Sequence, residues 1–436
     1  MSLMACLLAA VGGQSSLMAF AESPDFTIVN VKPYNLAQPA KPYVVAYPQT
    51  AEQVVNPTGG GQEKDTITVD LSNLKDFTMD EKTGIAKVGA GTVLGELADK
   101  LFQTGNRALS YGRCTHIDVG GHATVGGFGY QSRMWSPMLD HVVSAEVVRT
   151  DGSIVTACDT SNQDLYWAIK GAASSFGIFT QFSFNTHPAP TEMIAFTHIY
   201  SRVGGMKPFP SLAKPFKAWQ AYVAKPDTPR TLGTDLILSP AGVVMVGAFF
   251  GSQADFGALN LTGVFGYPDV KTVVPFTSWR DLQTKWAAKA SAQSNNQLVV
   301  TFTAKSLAIP ADALIHDTAL DAVLKYLDDT DPGTTAWAVT FDLEGGATAD
   351  VPSDATASGT RDTLYYIQSY VTRTWIRGLN NLFEDAVPGR KLGAYPGNVD
   401  PELQDGPERY YGANLPRLQT LKGVLDPGNV FRIRRV

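Results

Sequence analysis

The residues best suited to chemistry lie between Tyr111 and Tyr130, in the run Tyr-Gly-Arg-Cys-Thr-His-Ile-Asp-Val-Gly-Gly-His-Ala-Thr-Val-Gly-Gly-Phe-Gly-Tyr. Five glycines fall within ten residues: Gly120, Gly121, Gly126, Gly127 and Gly129. Backbone without Cβ atoms can turn its N–H groups toward an anion or let a flat ring come close. The same run carries one thiol, Cys114, and two imidazoles, His116 and His122. Its spacing departs from Gly-x-Gly-x-x-Gly, so a strand–turn–helix site for a nicotinamide dinucleotide is a poor match. On the residues alone, the run is either a cofactor cradle or a glycine-rich structural loop.

Other chemistries are thinly supported. The three cysteines, Cys6, Cys114 and Cys158, are too few and too far apart for a disulfide framework or a zinc site, and no metal is implied. Lys and Arg total 35 against 41 Asp and Glu, a net charge of −6, and they are scattered. There is no basic stripe to follow a phosphate backbone, so nucleic acid is not an expected partner. The run from Met4 to Val11 is like a short leader core, yet nothing before it is positively charged and no Ala-x-Ala pattern follows clearly. A leader and a short apolar helix both remain open, and so does the choice between a secreted and a cytoplasmic protein. No apolar run approaches the roughly twenty residues needed to cross a bilayer, so no membrane span is expected.

The elements that must position these residues follow from periodicity. At 436 residues and 44% hydrophobic, the chain can build two or three cored domains. From Ile67 to about Pro188, short β-rich runs alternate with helices. Ile67 to Leu71 reads as a strand, and Thr92 as the cap of a helix carrying Leu94, Leu97 and Leu101. Val142 to Val155 reads as a hairpin turned at Asp151-Gly152. After Pro190 come longer helices between alternating strands: a hairpin from Leu236 to Phe250, a strand from Thr363 to Val371, and helices at Trp219 and Tyr222, at Trp279, Leu282 and Trp286, and from Ala319 to Leu327. The fold class is α+β.

The pattern Cys114-x-x-x-x-x-Gly-Gly-His-x-x-x-Gly-Gly-x-Gly, followed by Leu139-Asp140 and Val147 to Gly152, resembles the berberine-bridge-enzyme group of FAD-linked oxidases, in its carbohydrate-oxidising branch. Asp164 to Gly171 and Ser175-Phe-Gly-Ile178 resemble the end of that family's FAD-binding domain. Trp337 to Asp342 with Gly345-Gly346, and Arg361 to Gln368, resemble its substrate domain. Tyr410 to Asn414, Arg417-Leu418 and Asp426-Pro427 resemble the terminal segment that returns to the flavin. The likeness spans nearly the whole chain. It implies a two-part FAD-binding domain of the vanillyl-alcohol-oxidase type over residues 1–190. It also implies an α+β substrate domain over 191–395, with an antiparallel sheet flanked by helices, and a returning segment over 396–436.

The resemblance implies an oxidoreductase that takes hydride from a hydroxylated small molecule, an oligosaccharide or specialised metabolite, onto flavin N5. Oxygen then reoxidises the flavin and yields hydrogen peroxide. It implies FAD contacts at Cys114, Gly120, Gly121, His122, Gly126, Gly127, Gly177 and Ile178, with Cys114 able to bond covalently to the flavin. It places Asp342 and Gln368 where the family has the aspartate and glutamine that assist a basic tyrosine. In the family's Tyr-x-Asn-Tyr motif this chain reads Tyr395-Pro-Gly-Asn398, so Asn398 stands where that tyrosine would be, and Tyr395, the remaining phenol, joins Asp342 and Gln368 as a candidate catalytic residue. A second departure is upstream. Thr50-Ala-Glu-Gln53 starts a helix that Asn56-Pro57-Thr-Gly-Gly-Gly61 stops within about two turns. A segment of about thirty residues, carrying the pyrophosphate loop and a second linking histidine in the family, is missing near 56–61. A third is the basic end, Phe431 to Val436. The alternative implied by these departures is a non-catalytic relative that keeps the fold. Oligomeric state is left open.

Overall fold

The computed structural model describes residues 11–23, 25–31, 41–54, 67–202, 207–294, 302–334 and 336–431. Met4 to Val11, the loop at 56–61 and the basic end beyond Phe431 therefore lie wholly or mostly outside the described residues.

Two antiparallel sheets carry the molecule. The first has five strands in the order β4 (Phe77–Asp80), β5 (Ile85–Gly89), β9 (Ile178–Asn185), β7 (Val142–Val148) and β8 (Ile154–Cys158). Strands β7 and β8 form the hairpin expected at Asp151-Gly152, where Gly152 takes φ +79°. Against this sheet pack helices α1 (Leu94–Gln103), α2 (Val119–Val125) and α3 (Gln163–Ala172), which bury Leu97, Leu101, Ala123, Ala168 and Ile169 with Phe182 and Phe184. A smaller three-stranded sheet joins β1 (Met18–Phe20), β2 (Val44–Ala46) and β3 (Ile67–Val69), with β2 and β3 parallel, and β6 (Arg107–Ala108) pairs antiparallel with β10 (His187–Pro188). The helix start read at Thr50 is one 3-10 turn, Ala51–Val54, whose two buried residues pack on Val148.

Helix α1 is capped differently from the expectation. Its first flanking residue is Val93, without a side-chain cap, and the Thr92 hydroxyl is buried with no partner. The Leu94 and Gly95 amides donate instead to the carbonyls of Ile117 and Thr115, at 2.9 and 3.0 Å. Tertiary backbone thus satisfies the end that a local side chain was expected to satisfy.

The second sheet has seven strands, in the order β14 (Val270–Phe276), β11 (Met193–Ser201), β13 (Gly242–Phe249), β12 (Leu232–Ser239), β16 (Ala338–Leu343), β17 (Thr363–Val371) and β15 (Thr303–Pro310). Period-two alternation sorts its side chains. Leu236 and Leu238 of β12, Val339 and Phe341 of β16, and Tyr365 and Ile367 of β17 face one way. There they bury against α4 (Ala213–Val223), α5 (Asp317–Asp329) and α6 (Arg373–Asp385), each large side chain stabilising by about 1.5–3 kcal/mol. The residues between them, Asp235 and Ile237, Thr340 and Asp342, Gln368 and Tyr370, face the opposite way and floor a cavity.

The chain's end returns to the first sheet. Helix α7 (Leu415–Leu425) lies on α3, with the Arg417 guanidinium 4.0 Å from the centroid of the Trp167 ring and Lys422 Nζ donating to the Ser175 carbonyl at 2.8 Å. Asn414 Nδ2 donates to the carbonyls of Ser353 and Thr356, fixing the loop that contains them. The architecture is α+β.

Candidate active site

The cavity between the two sheets has a volume of about 1000 Å³. Its roof comes from the glycine-rich run, its floor from β12, β16 and β17, and one side from residues 395–398. Cys114 sits on the wall as an exposed free thiol.

The run is less loop-like than its composition suggested, because Val119–Val125 forms the short helix α2. The Val119 and Gly120 amides are already engaged by the carbonyls of Thr92 and Ala90, both at 2.9 Å, so these glycine-run donors hold protein and not anion. Gly120 faces Ala90, while Gly126 and Gly127, at φ +144° and +78°, turn the chain against Phe128 and Met138. Gly177 packs on Val147 and Ile178 opens β9; both stand off the cavity wall. Gly121 and Gly129 line the cavity. A Cβ on Gly121 would meet nothing within 4 Å, whereas one on Gly129 would lie 2.0 Å from the Tyr111 carbonyl oxygen. His122 is on the wall, its Nε2 accepting from the Gly112 amide at 2.8 Å, and burial pulls its pKa down to about 4. It is a neutral prop for the roof at ordinary pH. His116 is exposed.

At the floor, Gln368 Nε2 donates to Asp342 Oδ2, and Gln368 Oε1 accepts from Tyr370 Oη and Asn398 Nδ2, each at 2.8 Å. The structure thus brings together Asp342, Gln368 and Asn398. The Tyr395 ring packs against Phe128 and Tyr366, at 5.5 Å centroid separation from each, on the same cavity. Burial, followed by the charge of Asp235, raises the Asp342 pKa to about 8.

Sequence reasoning missed the other half of the cluster. Asp235, opposite Asp342 across the β12–β16 register, is buried and pairs with Arg113 Nη2. Tyr130 Oη accepts from Arg113 Nη1 at 2.6 Å and donates to Asp235 Oδ2 at 3.0 Å. Burial also holds the Tyr130 and Glu344 pKa values well above their ordinary ranges. One signal was available: Asp235 is the only charged residue in the strand Leu-Gly-Thr-Asp-Leu-Ile-Leu-Ser, which otherwise reads as core.

These residues fit a flavin at the ring end. The cavity is large, Gly121 leaves its roof open to a flat group, and a thiol stands on the wall. An FAD binding domain model matches residues 42–157, and a model described as berberine and berberine like matches residues 394–435. The FAD-linked oxidoreductase sorD of Penicillium rubens is 36% identical to this chain, covering 98% of it and 96% of the relative. The chain belongs to the berberine-bridge-enzyme-like family of FAD-linked oxidases. The sorD match runs over 461 residues, more than the 436 present here, so that relative carries residues with no counterpart in this chain. Glucooligosaccharide oxidase of Sarocladium strictum is 29% identical, with 86% of this chain and 78% of the relative covered. A solved structure of xylooligosaccharide oxidase from Myceliophthora thermophila with xylobiose superposes with a TM-score of 0.87 at 25% identity, covering 100% of this chain and 99% of that one.

As a family member the chain is an FAD-linked oxidoreductase, and FAD is its cofactor. Among the described residues, no group of His, Cys, Asp and Glu is placed to hold a metal ion, and no helix is long and apolar enough to cross a membrane.

Proposed function

We propose that this protein oxidises a hydroxylated small molecule, an oligosaccharide in first place, to the corresponding carbonyl compound, with oxygen as the final acceptor and hydrogen peroxide as the product. FAD supplies the hydride acceptor and the route for two electrons to oxygen. The chain's own residues bind the substrate, orient its hydroxyl and handle its proton. Cys114, Gly121 and His122 would hold the flavin's ring end, with Cys114 as the covalent anchor. Asp342 would deal with the hydroxyl proton, Gln368 would fix the carboxyl's direction, and Tyr395 would form one wall of the substrate slot. Gly120, Gly126 and Gly127 would act through the shape of α2 and its turn, and Gly177 and Ile178 through the sheet beneath. Residues 1–190 would form the flavin part, 191–395 the substrate part, and 396–436 the returning segment.

The observation that carries this reading is that Asp342, bonded to Gln368, opens onto the same cavity as the Cys114 thiol. The oligosaccharides named for the relatives support the substrate class. The test is anaerobic mixing of the purified flavoprotein with glucose, xylose and N-acetylglucosamine disaccharides. Bleaching of the flavin's visible absorbance, followed by peroxide release when air is admitted, is the expected result. A protein that shows no flavin absorbance after incubation with FAD would overturn it. Comparing oxygen with an artificial dye separates an oxidase from a dehydrogenase.

A further inference from the structure

The oxidation proposed above leaves the destination of the substrate's hydroxyl proton to be assigned, and the following assignment rests on that reading. Two carboxyls meet on the cavity floor. Strands β12 and β16 are antiparallel with Asp235 directly opposite Asp342, and opposed residues on one sheet face stand about 5 Å apart at Cβ. Both line the cavity, so two carboxyls withdrawn from bulk water face each other across one strand pair. Two like charges held this close resist ionising together, so one of the two carboxyls keeps a proton. The partners indicate which one. Asp235 receives the Arg113 guanidinium and the Tyr130 hydroxyl, both suited to an anion. Asp342 receives the uncharged Gln368 amide, so its carboxyl carries the shared proton toward Asp235.

We propose that Asp235 and Asp342 form one proton-sharing carboxylate pair, and that this pair receives the hydroxyl proton of the substrate. In the step, the C–H bond of the carbinol breaks with both electrons, which leave as hydride to FAD. The O–H bond breaks and its proton goes to the Asp342 carboxylate, while the oxygen's electron pair closes the new C=O bond. Carbon is oxidised by two electrons, FAD is reduced by two, and the doubly ionised pair becomes the singly protonated pair. Asp342 is the catalytic residue here. Asp235 is a positioning residue that acts through it, and Arg113 keeps the Asp235 charge in place.

The groups facing Asp342 set the pH at which the pair is ready. Asp235 on β12 raises its affinity for a proton, and Arg113 above the floor lowers it. Glu344, beyond the end of β16, is itself held toward its neutral form, as is the buried Tyr130. The phenols of Tyr366 and Tyr370 on β17 and of Tyr395 also face the cavity, and burial holds the Tyr366 pKa above its ordinary value. His122 is neutral, and Lys285 contributes a distant positive charge on the cavity rim.

The experiment combines two measurements on the purified flavoprotein. Infrared difference spectra taken from about pH 6 to pH 10 should show a protonated-carboxyl carbonyl band that titrates away within that range and is absent from Asp342→Asn. The rate of flavin reduction by the disaccharide that bleaches it should rise with pH, and Asp235→Asn should move that limb down by about one pH unit or more, because a like charge has gone. A wild-type spectrum without the band, or a limb that Asp235→Asn leaves in place, overturns the proposal. If Asp235→Asn does not fold, the band and its loss in Asp342→Asn decide the matter. If the band is present and no disaccharide bleaches the flavin, the oxidation reading fails, and the proton-acceptor role fails with it.

Discussion

Asp342→Asn should make the protein more stable and less active at once, with the stability gain depending on pH. An Asp in the unfolded chain titrates near 3.8, whereas burial beside Asp235 raises the folded value of Asp342 to about 8. Between those two values the folded state holds a proton that the unfolded state has released, so this carboxyl's contribution to stability falls as pH rises through the window and levels off above it. At about 1.4 kcal/mol for each tenfold difference in proton affinity, the full penalty is on the order of 5 kcal/mol. Partial exposure at the cavity wall screens it to about 2–4 kcal/mol. Asparagine mimics the protonated carboxyl: its oxygen can accept from Gln368 and its NH₂ can donate to Asp235. Its stability advantage over the wild type should therefore be near zero around pH 4 and reach a few kcal/mol above pH 8. Urea unfolding at a series of pH values, followed by circular dichroism, measures it. An advantage that is constant across pH, or a variant less stable than wild type above pH 8, would refute the reasoning.

Other expectations concern the anchor, the roof and the contact between the two halves. Cys114→Ala should release flavin that otherwise stays with acid-precipitated protein, read as yellow colour moving from pellet to supernatant. Gly129→Ala would press a Cβ to 2.0 Å from the Tyr111 carbonyl, so it should yield little soluble protein or a collapsed flavin spectrum, whereas Gly121→Ala, facing open space, should fold normally and weaken FAD binding. The buried Arg361 guanidinium binds both Asp140 carboxylate oxygens, at 2.6 and 2.8 Å, and ties the turn before β17 to the turn before β7. Arg361→Met leaves that carboxylate buried without its partner and should cost about 3–5 kcal/mol in denaturant unfolding. The double variant with Asp140→Leu should recover part of that loss.

Much of the fold was legible because its signals are local. The alternation along Thr363 to Val371 gives β17, and Leu94, Leu97 and Leu101 give the buried face of α1. The Asp151-Gly152 turn fixes its hairpin, because only a few residue types tolerate the left-handed backbone that such a turn needs. Other features had no local signal. The cap at Thr92 failed because the amides it would have bonded were taken by a loop more than twenty residues away. The glycine run looked like a free loop, yet Val119 to Val125 is helical because carbonyls of the neighbouring strand end engage its first amides.

The sequence by itself determined the parts list: the Cys114 motif, the strands that carry Asp342 and Gln368, and the absence of a tyrosine at Asn398. Only the tertiary structure decided how those parts act together. Cross-strand register, set by the packing of Leu236, Phe341 and Ile367 against the helices, puts Asp235 opposite Asp342 although they are over a hundred residues apart in the chain. No spacing rule encodes that meeting, since a slip of one residue would turn either carboxyl into the core. The raised proton affinity of Asp342 is likewise a property of the folded state, created when burial and a second carboxyl replace the water that would otherwise stabilise its charge.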